Sequence, residues 1–151
     1  MKNIRQIQVF LAEDNMADVW LVEEALRRQS LDYHLEHYST AEDAIVAVKA
    51  SGSADSQIPD LMLVDFNLPR GDGRDVLAAA ASNPKLAAVP KVVMSSFLRP
   101  EEMEQAIQMG ALCFIPKPTG LDAFLTIVGA KVMELLGRQK EELAKPTGPG
   151  G

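Results

Sequence analysis

Asp65 closes the apolar run Leu61-Met62-Leu63-Val64 and opens a loop that reads Phe66-Asn67-Leu68-Pro69-Arg70-Gly71-Asp72-Gly73. A carboxylate in that position stands at the C-terminal edge of a buried strand, the edge where open α/β sheets place their chemistry. Glu13 and Asp14 close a second run, Val9-Phe10-Leu11-Ala12. Ser95 closes a third, Val92-Val93-Met94, and Lys117 follows a fourth, Leu112-Cys113-Phe114-Ile115. An acid, an acid pair, a hydroxyl and an amine at four strand ends describe a phosphoryl-transfer site with a divalent metal.

Each acid taken alone can also be read as a solvated loop residue. Three at neighbouring strand ends do not. Two unit charges about 4 Å apart repel by about 4 kcal/mol even at an effective dielectric of 20, so Glu13, Asp14 and Asp65 together call for a hard cation. Mg²⁺ suits them, because it takes one or two carboxylates and keeps positions for water and phosphate oxygens. Asp65, at the central strand, is the nucleophile candidate, since a carboxylate attacking phosphorus gives an aspartyl-phosphate. Lys117 adds positive charge beside it, flanked by Pro116 and Pro118. The Lys117–Pro118 bond is a candidate for the cis form, which X–Pro bonds tolerate. Ser95 offers a hydroxyl to a phosphoryl oxygen, and Ser96 competes for that role. Phe114 reads either as a core aromatic or as a switch residue.

The elements that position these groups alternate as βα five times. Strands are expected at about Gln8 to Glu13, Tyr33 to Tyr38, Leu61 to Asp65, after Pro90, and Leu112 to Ile115. Asn15 caps a first helix reaching about Gln29, with Asp18 completing a box-like cap and Val19, Val22 and Leu26 on its buried face. Ser39-Thr40 opens a second helix, with Ala44, Ile45 and Val48 facing inward, and Ser51 to Asp60 is a surface loop. A third helix spans about Arg74 to Ala81. Pro100 with Glu101-Glu102 starts a fourth, whose apolar face is read as Met103, Ala106, Ile107 and Gly110. A fifth starts near Leu121 and runs at least to Leu136 on Phe124, Val128, Val132 and Leu135. Continuous apolar strands between amphipathic helices imply a parallel sheet covered on both faces. The fold class is α/β, a doubly wound five-stranded sheet of flavodoxin-like order 2-1-3-4-5. The domain is expected over 1–137, with 138–151 forming the end of helix five and a disordered Gly/Pro-rich tail.

The 151 residues suffice for one well-buried core. A hydrophobic share of 47% and a charged share of 24% match a folded soluble chain. The net charge of −6 argues against nonspecific nucleic-acid binding, and the α/β pattern leaves no room within this length for a DNA-binding unit. Cys113 is the only cysteine, so an intrachain disulfide and a cysteine-rich zinc site are both excluded. It reads as a small buried strand residue. No signal-peptide pattern occurs, and no apolar run approaches the roughly 20 residues that span a bilayer. A cytoplasmic protein without membrane contact is expected.

Taken in order, Glu13-Asp14, Asp65 within Leu-Val-Asp-Phe-Asn-Leu-Pro, Gly71-Asp72-Gly73, Ser95 and Lys117-Pro118 resemble the receiver domain of two-component response regulators. The resemblance covers about Ile7 to Leu136, and the intervals of 30 residues from Asp65 to Ser95 and 22 from Ser95 to Lys117 agree with it. The Asn67-to-Arg74 loop and Asn83-Pro84 look most like stand-alone regulators that partner phytochromes. The resemblance implies that Asp65 accepts phosphate from a sensor histidine kinase or a histidine phosphotransfer protein. It implies a Mg²⁺ ligand set of Glu13, Asp14, Asp65 and the backbone carbonyl of Asn67, with Ser95 and Lys117 holding the phosphoryl group. Ser95 and Phe114 would be the switch pair, changing the face built by the fourth helix, fifth strand and fifth helix. The signal would leave through a downstream protein partner or a homodimer, with a helix-five stripe from Leu136 to Leu143 as the dimer surface. Two departures stand out: Ser95 where threonine is frequent, and Phe114 where tyrosine is frequent.

Other classes fit less well. An aspartate-nucleophile phosphatase needs an acid two residues after the nucleophile, where Asn67 stands. A flavodoxin-like cofactor binder needs a Gly-rich loop after strand one, where Asn15-Met16-Ala17-Asp18 stands. A degenerate receiver serving only as an interaction module is the remaining alternative.

Overall fold

The computed structural model describes residues 6–54, 56–97 and 99–144, with side chains to residue 137. Its strands are β1 (Ile7–Ala12), β2 (Tyr33–Tyr38), β3 (Leu61–Asp65), β4 (Lys91–Ser95) and β5 (Cys113–Pro116). Its helices are α1 (Met16–Arg28), α2 (Ala41–Ala50), α3 (Gly73–Ala81), α4 (Pro100–Gln108) and α5 (Leu121–Ala144), with a short 3₁₀ turn at Pro84–Leu86. All pairings are parallel and the order is β2-β1-β3-β4-β5. This is the doubly wound flavodoxin-like sheet expected from the apolar runs.

Both faces of the sheet are covered, which is why its inner strands carry apolar residues at consecutive positions. Val9, Leu11, Leu61, Leu63, Val92 and Met94 face α1 and α5, where Val22, Leu26, Phe124, Val128 and Val132 complete that layer. The alternate residues Phe10, Ala12, Met62 and Val64 face α2 and α3 through Ala44, Val48, Val76 and Ala80. Every residue of β3 is buried, as is every residue of β4, so Asp65 ends a fully enclosed strand at the centre of the sheet.

Side-chain caps set the helix starts. The Thr40 hydroxyl accepts from the Asp43 N–H at 3.0 Å. Asp72 and Asp75 form a reciprocal box at the start of α3. At the other end of α2, the Asn83 amide donates to the carbonyls of Val48 and Ser51, satisfying groups the helix leaves open.

Four local expectations are corrected. Asn15 does cap α1, accepting from the Ala17 and Asp18 N–H groups, but Asp18 does not complete the box. The Asn15 N–H turns to Glu13 Oε2 at 3.2 Å, and the Asp18 carboxylate goes to Lys117. The inner face of α4 is narrower than its periodicity implies: Ala106 is buried, whereas Ile107 is 46% exposed and Met103 is only half-buried. A short helix over the β4–β5 end of the sheet has few strands to cover. Cys113 is half-buried, not buried, because β5 is an edge strand, whereas Ile45 on α2 packs against the core of its face as expected. The Lys117–Pro118 bond is trans, as are the other peptide bonds among the described residues. Helix α5 runs past Leu136 to Ala144. The side chains of the proposed dimer stripe beyond residue 137, and the tail expected from Lys145 to Gly151, lie outside the described residues.

The α3 start is pressed against the Asp65 strand end. The Gly73 N–H donates to the Phe66 carbonyl at 2.9 Å, and a Cβ on Gly73 would lie 2.7 Å from both the Asp65 carbonyl oxygen and Phe66 Cα. Backbone cannot yield as a flexible side chain can. Gly73→Ala is expected to destabilise the fold by about 2–3 kcal/mol, read as a lower urea midpoint at unchanged slope. A wild-type midpoint would contradict this close approach.

Candidate functional site

The site lies at the C-terminal edge of the sheet, where the loops after β1, β3, β4 and β5 converge. Backbone contacts fix each loop. The Glu13 N–H donates to the Tyr38 carbonyl at 2.9 Å, and the Lys117 N–H donates to the Ser95 carbonyl at 2.8 Å. The Glu13 carbonyl accepts from His37 Nε2 at 2.7 Å, so that ring nitrogen carries the proton. Glu13 is therefore held by the end of β2 on both sides of its peptide. One oxygen of Asp65, Oδ1, accepts from the Asn67 N–H at 2.8 Å.

The Lys117 ammonium sits at the centre of the acidic groups. It lies 2.5 Å from Glu13 Oε1, 2.7 Å from Asp65 Oδ2 and 2.8 Å from Asp18 Oδ2. Three acceptors match its three N–H donors. The side chains of Glu13, Asp65 and Lys117 are 1%, 6% and 8% exposed, so the pairing takes place largely out of water. Burial pushes the Glu13 carboxyl up to about 8, and its hydrogen bond and like charge with Asp65 push the same way against the pull of Lys117. Burial also opposes the Lys117 charge, but the hydrogen bonds to Asp18, Asp65 and Glu13 outweigh it and hold that ammonium above its ordinary pKa.

Of the residues singled out in the sequence, Glu13, Asp14 and Asp65 are brought together. Each offers a carboxylate oxygen, and these lie within 4.8 Å of one another. The donor set is hard oxygen with one exposed edge at Asp14, which fits Mg²⁺ or Mn²⁺ and not a thiolate-seeking metal. Acids crowded and buried enough to push the Glu13 carboxyl up also fit a place for further positive charge.

Of the two candidate hydroxyls, Ser95 is buried and Ser96 exposed. The Ser95 hydroxyl donates to the Phe97 carbonyl at 3.0 Å and accepts from the Asn67 side-chain amide at 3.0 Å. It is engaged with the β4–α4 loop. Phe114 is half-buried against a cluster of Phe66, Leu77, Val93, Ala106 and Ala111. The Arg74 guanidinium lies over the Phe66 ring and donates to Gln105 on α4, joining the α3 start to α4. Two contacts with the site were not read from the sequence: Asp18, which passed as a helix-capping acid, and His37, which passed as a strand residue.

A parallel five-stranded sheet with acids and a lysine gathered at its C-terminal edge defines a class of phosphoacceptor signalling domain. The response regulator receiver domain family matches residues 9–129, and the chain belongs to it. Response regulator Rcp1 of Synechocystis sp. is 32% identical over 123 residues, covering 80% of this chain and 84% of that protein. The phosphorylated cyanobacterial phytochrome response regulator RcpA superposes with a TM-score of 0.80 at 31% identity, covering 89% of this chain and 96% of the other. The Mn²⁺-bound form of Rcp1 gives a TM-score of 0.78 at 29% identity, over 86% and 94% of the two chains. Among the described residues no helix is long and apolar enough to cross a membrane.

The raised Glu13 carboxyl has a pH signature. Between the ordinary value of 4.5 and about 8 the folded chain holds a proton that the unfolded chain has released. Stability of the metal-free protein should therefore fall as pH rises through that window and level off above it. Urea unfolding in a chelator from pH 5 to 9 checks the slope, and Glu13→Gln should flatten it. A stability that rises over this range, equally in both proteins, would contradict the assignment.

Proposed function

We propose that the protein is a phosphorylation-driven switch whose acceptor is Asp65. The observation that carries this reading is the seating of Asp65 at the end of the fully buried central strand, with Lys117 Nζ 2.7 Å from one oxygen and the Asn67 N–H 2.8 Å from the other. A carboxylate oxygen of Asp65 attacks the phosphorus of a phosphohistidine on a sensor histidine kinase or a histidine phosphotransfer protein. The P–N bond breaks, its electron pair stays on the imidazole, and an acyl phosphate remains on Asp65.

Glu13, Asp14 and Asp65, with the Asn67 carbonyl, would hold Mg²⁺, which supplies positive charge against the transferring phosphoryl oxygens. Lys117 contributes a second cation to the same group. Ser95 leaves the Phe97 carbonyl and donates its hydroxyl to a phosphoryl oxygen. The modification adds about −1.5 to −2 charges to the pocket, and the bias appears as a packing change at a distance. Phe114 fills the space vacated behind Ser95, altering the α4–β5–α5 face. Ile107 on α4 and Leu112 ahead of β5 are exposed there, in keeping with a downstream protein partner or a second copy of the chain. The likeness to phytochrome-associated regulators supports a light-sensing kinase as the phosphodonor, acting in the cytoplasm.

Intact-mass spectrometry after incubation with Mg²⁺ and a small acyl phosphate tests the chemistry. One added phosphoryl group is expected in the wild type, and none in Asp65→Asn or in a chelator. A folded wild type that stays unmodified would instead favour the phosphorylation-independent interaction module.

A further inference from the structure

Lys117 has three carboxylate partners, and two of them have other duties at this site. Glu13 and Asp65 belong to the group of oxygens that converges within 4.8 Å, together with Asp14. Asp65 is in addition the proposed acceptor, so its oxygen bonded to Lys117 changes character once a phosphoryl group is attached. Asp18 belongs to neither set. It stands on the first turn of α1, and its Oδ2 meets Lys117 Nζ at 2.8 Å across a sequence separation of 99 residues.

The surroundings make this contact more than a surface ion pair. Lys117 is 8% exposed and Asp18 18% exposed, with Oδ2 directed at the ammonium. Exposed pairs contribute little because solvent screens them and two long side chains must be ordered. Here the aspartate is short, and its backbone is fixed by the Asn15 cap, whose Oδ1 accepts from the Asp18 N–H at 3.3 Å. The lysine backbone is fixed in turn by the bond from its N–H to the Ser95 carbonyl. Both ends of the pair are thus anchored to rigid elements.

We propose that Asp18 is a positioning residue for Lys117, holding the ammonium over the acceptor while Glu13 and Asp65 engage other groups. The proposal rests on the reading of Asp65 as phosphoacceptor. Two of the three N–H donors of Lys117 then become available to phosphoryl oxygens, and the third stays on Asp18. Without Asp18 the four-carbon stem of Lys117 is free to turn, and the charge reaches the phosphoryl group only part of the time.

The test follows phosphoryl uptake at saturating Mg²⁺ from a small acyl phosphate in the wild type, Asp18→Ala and Asp18→Glu. Thermal unfolding and the nitrogen-15 signal of the Lys117 ammonium are recorded alongside. Asp18→Ala should slow uptake roughly tenfold or more and shift or broaden the Lys117 signal, at a melting temperature close to that of the wild type. Asp18→Glu, which keeps the charge on a longer arm, should recover part of the rate. Alanine is a good helix former, so the fold of α1 is not at risk in the first variant. A wild-type rate in Asp18→Ala overturns the proposal alone. So does a slowed rate with an unmoved Lys117 signal, or one that tracks a fall in melting temperature and is not recovered by Asp18→Glu. Absence of uptake in the wild type overturns the phosphoacceptor reading and this proposal with it.

Discussion

The mutual repulsion of carboxylates at one sheet edge is the constraint on which the rest of the site depends. Glu13, Asp18 and Asp65, with Asp14 at the exposed edge, bring four acids to one small region, against the ammonium of Lys117. In a medium of low effective dielectric such a set is neither neutral nor stable unless its members share protons and donors. Glu13 answers with a raised pKa, and Lys117 answers by distributing its three donors over three acceptors. The remaining imbalance fits a hard cation beside these carboxylates.

That arrangement needs a support that does not relax under it. The support is the parallel sheet, whose inner strands are packed on both sides, and whose core interdigitates α1 and α5 on one face and α2 and α3 on the other. Close-packed interiors have few soft directions, so strand ends hold their spacing. Gly73 extends the rigidity by letting the α3 start touch the backbone of Asp65 and Phe66. The result is an Asp65 carboxylate carried on closely packed backbone.

Connections from the acceptor outward run through polar contacts of that loop layer. Asn67 touches Asp65 through its backbone N–H and Ser95 through its side-chain amide. Ser95 in turn is bonded to Phe97, ahead of α4. Phe66, adjacent to Asp65, packs with Leu77, Val93 and Ala106, and Arg74 spans from its ring to Gln105. The face built by α4 and β5 is thus within two or three contacts of Asp65. Its own packing is thin, with one buried residue on α4, and thinly packed elements are the ones whose equilibria are readily biased.

Much of this was legible in the sequence because it rests on local pattern. Continuous apolar runs mark strands covered on both faces, helical spacing marks the covering helices, and the right-handed crossover rule leaves one natural order for them. The chemical type of the residue at each strand end then proposes a site, and Glu13, Asp65, Ser95 and Lys117 do lie together at one edge of the sheet. What only the tertiary structure decided depends on distances between residues far apart in the chain. Asp18 looks like a capping acid until α1 and the β5–α5 loop are placed side by side, 99 residues apart in sequence. His37 looks like an edge-strand residue until its ring is found on the Glu13 carbonyl. The burial of Ser95 beside the exposed Ser96, and the exposure of Ile107, likewise came only from packing. Periodicity reports which way a side chain points from its own element, and only packing decides what stands opposite.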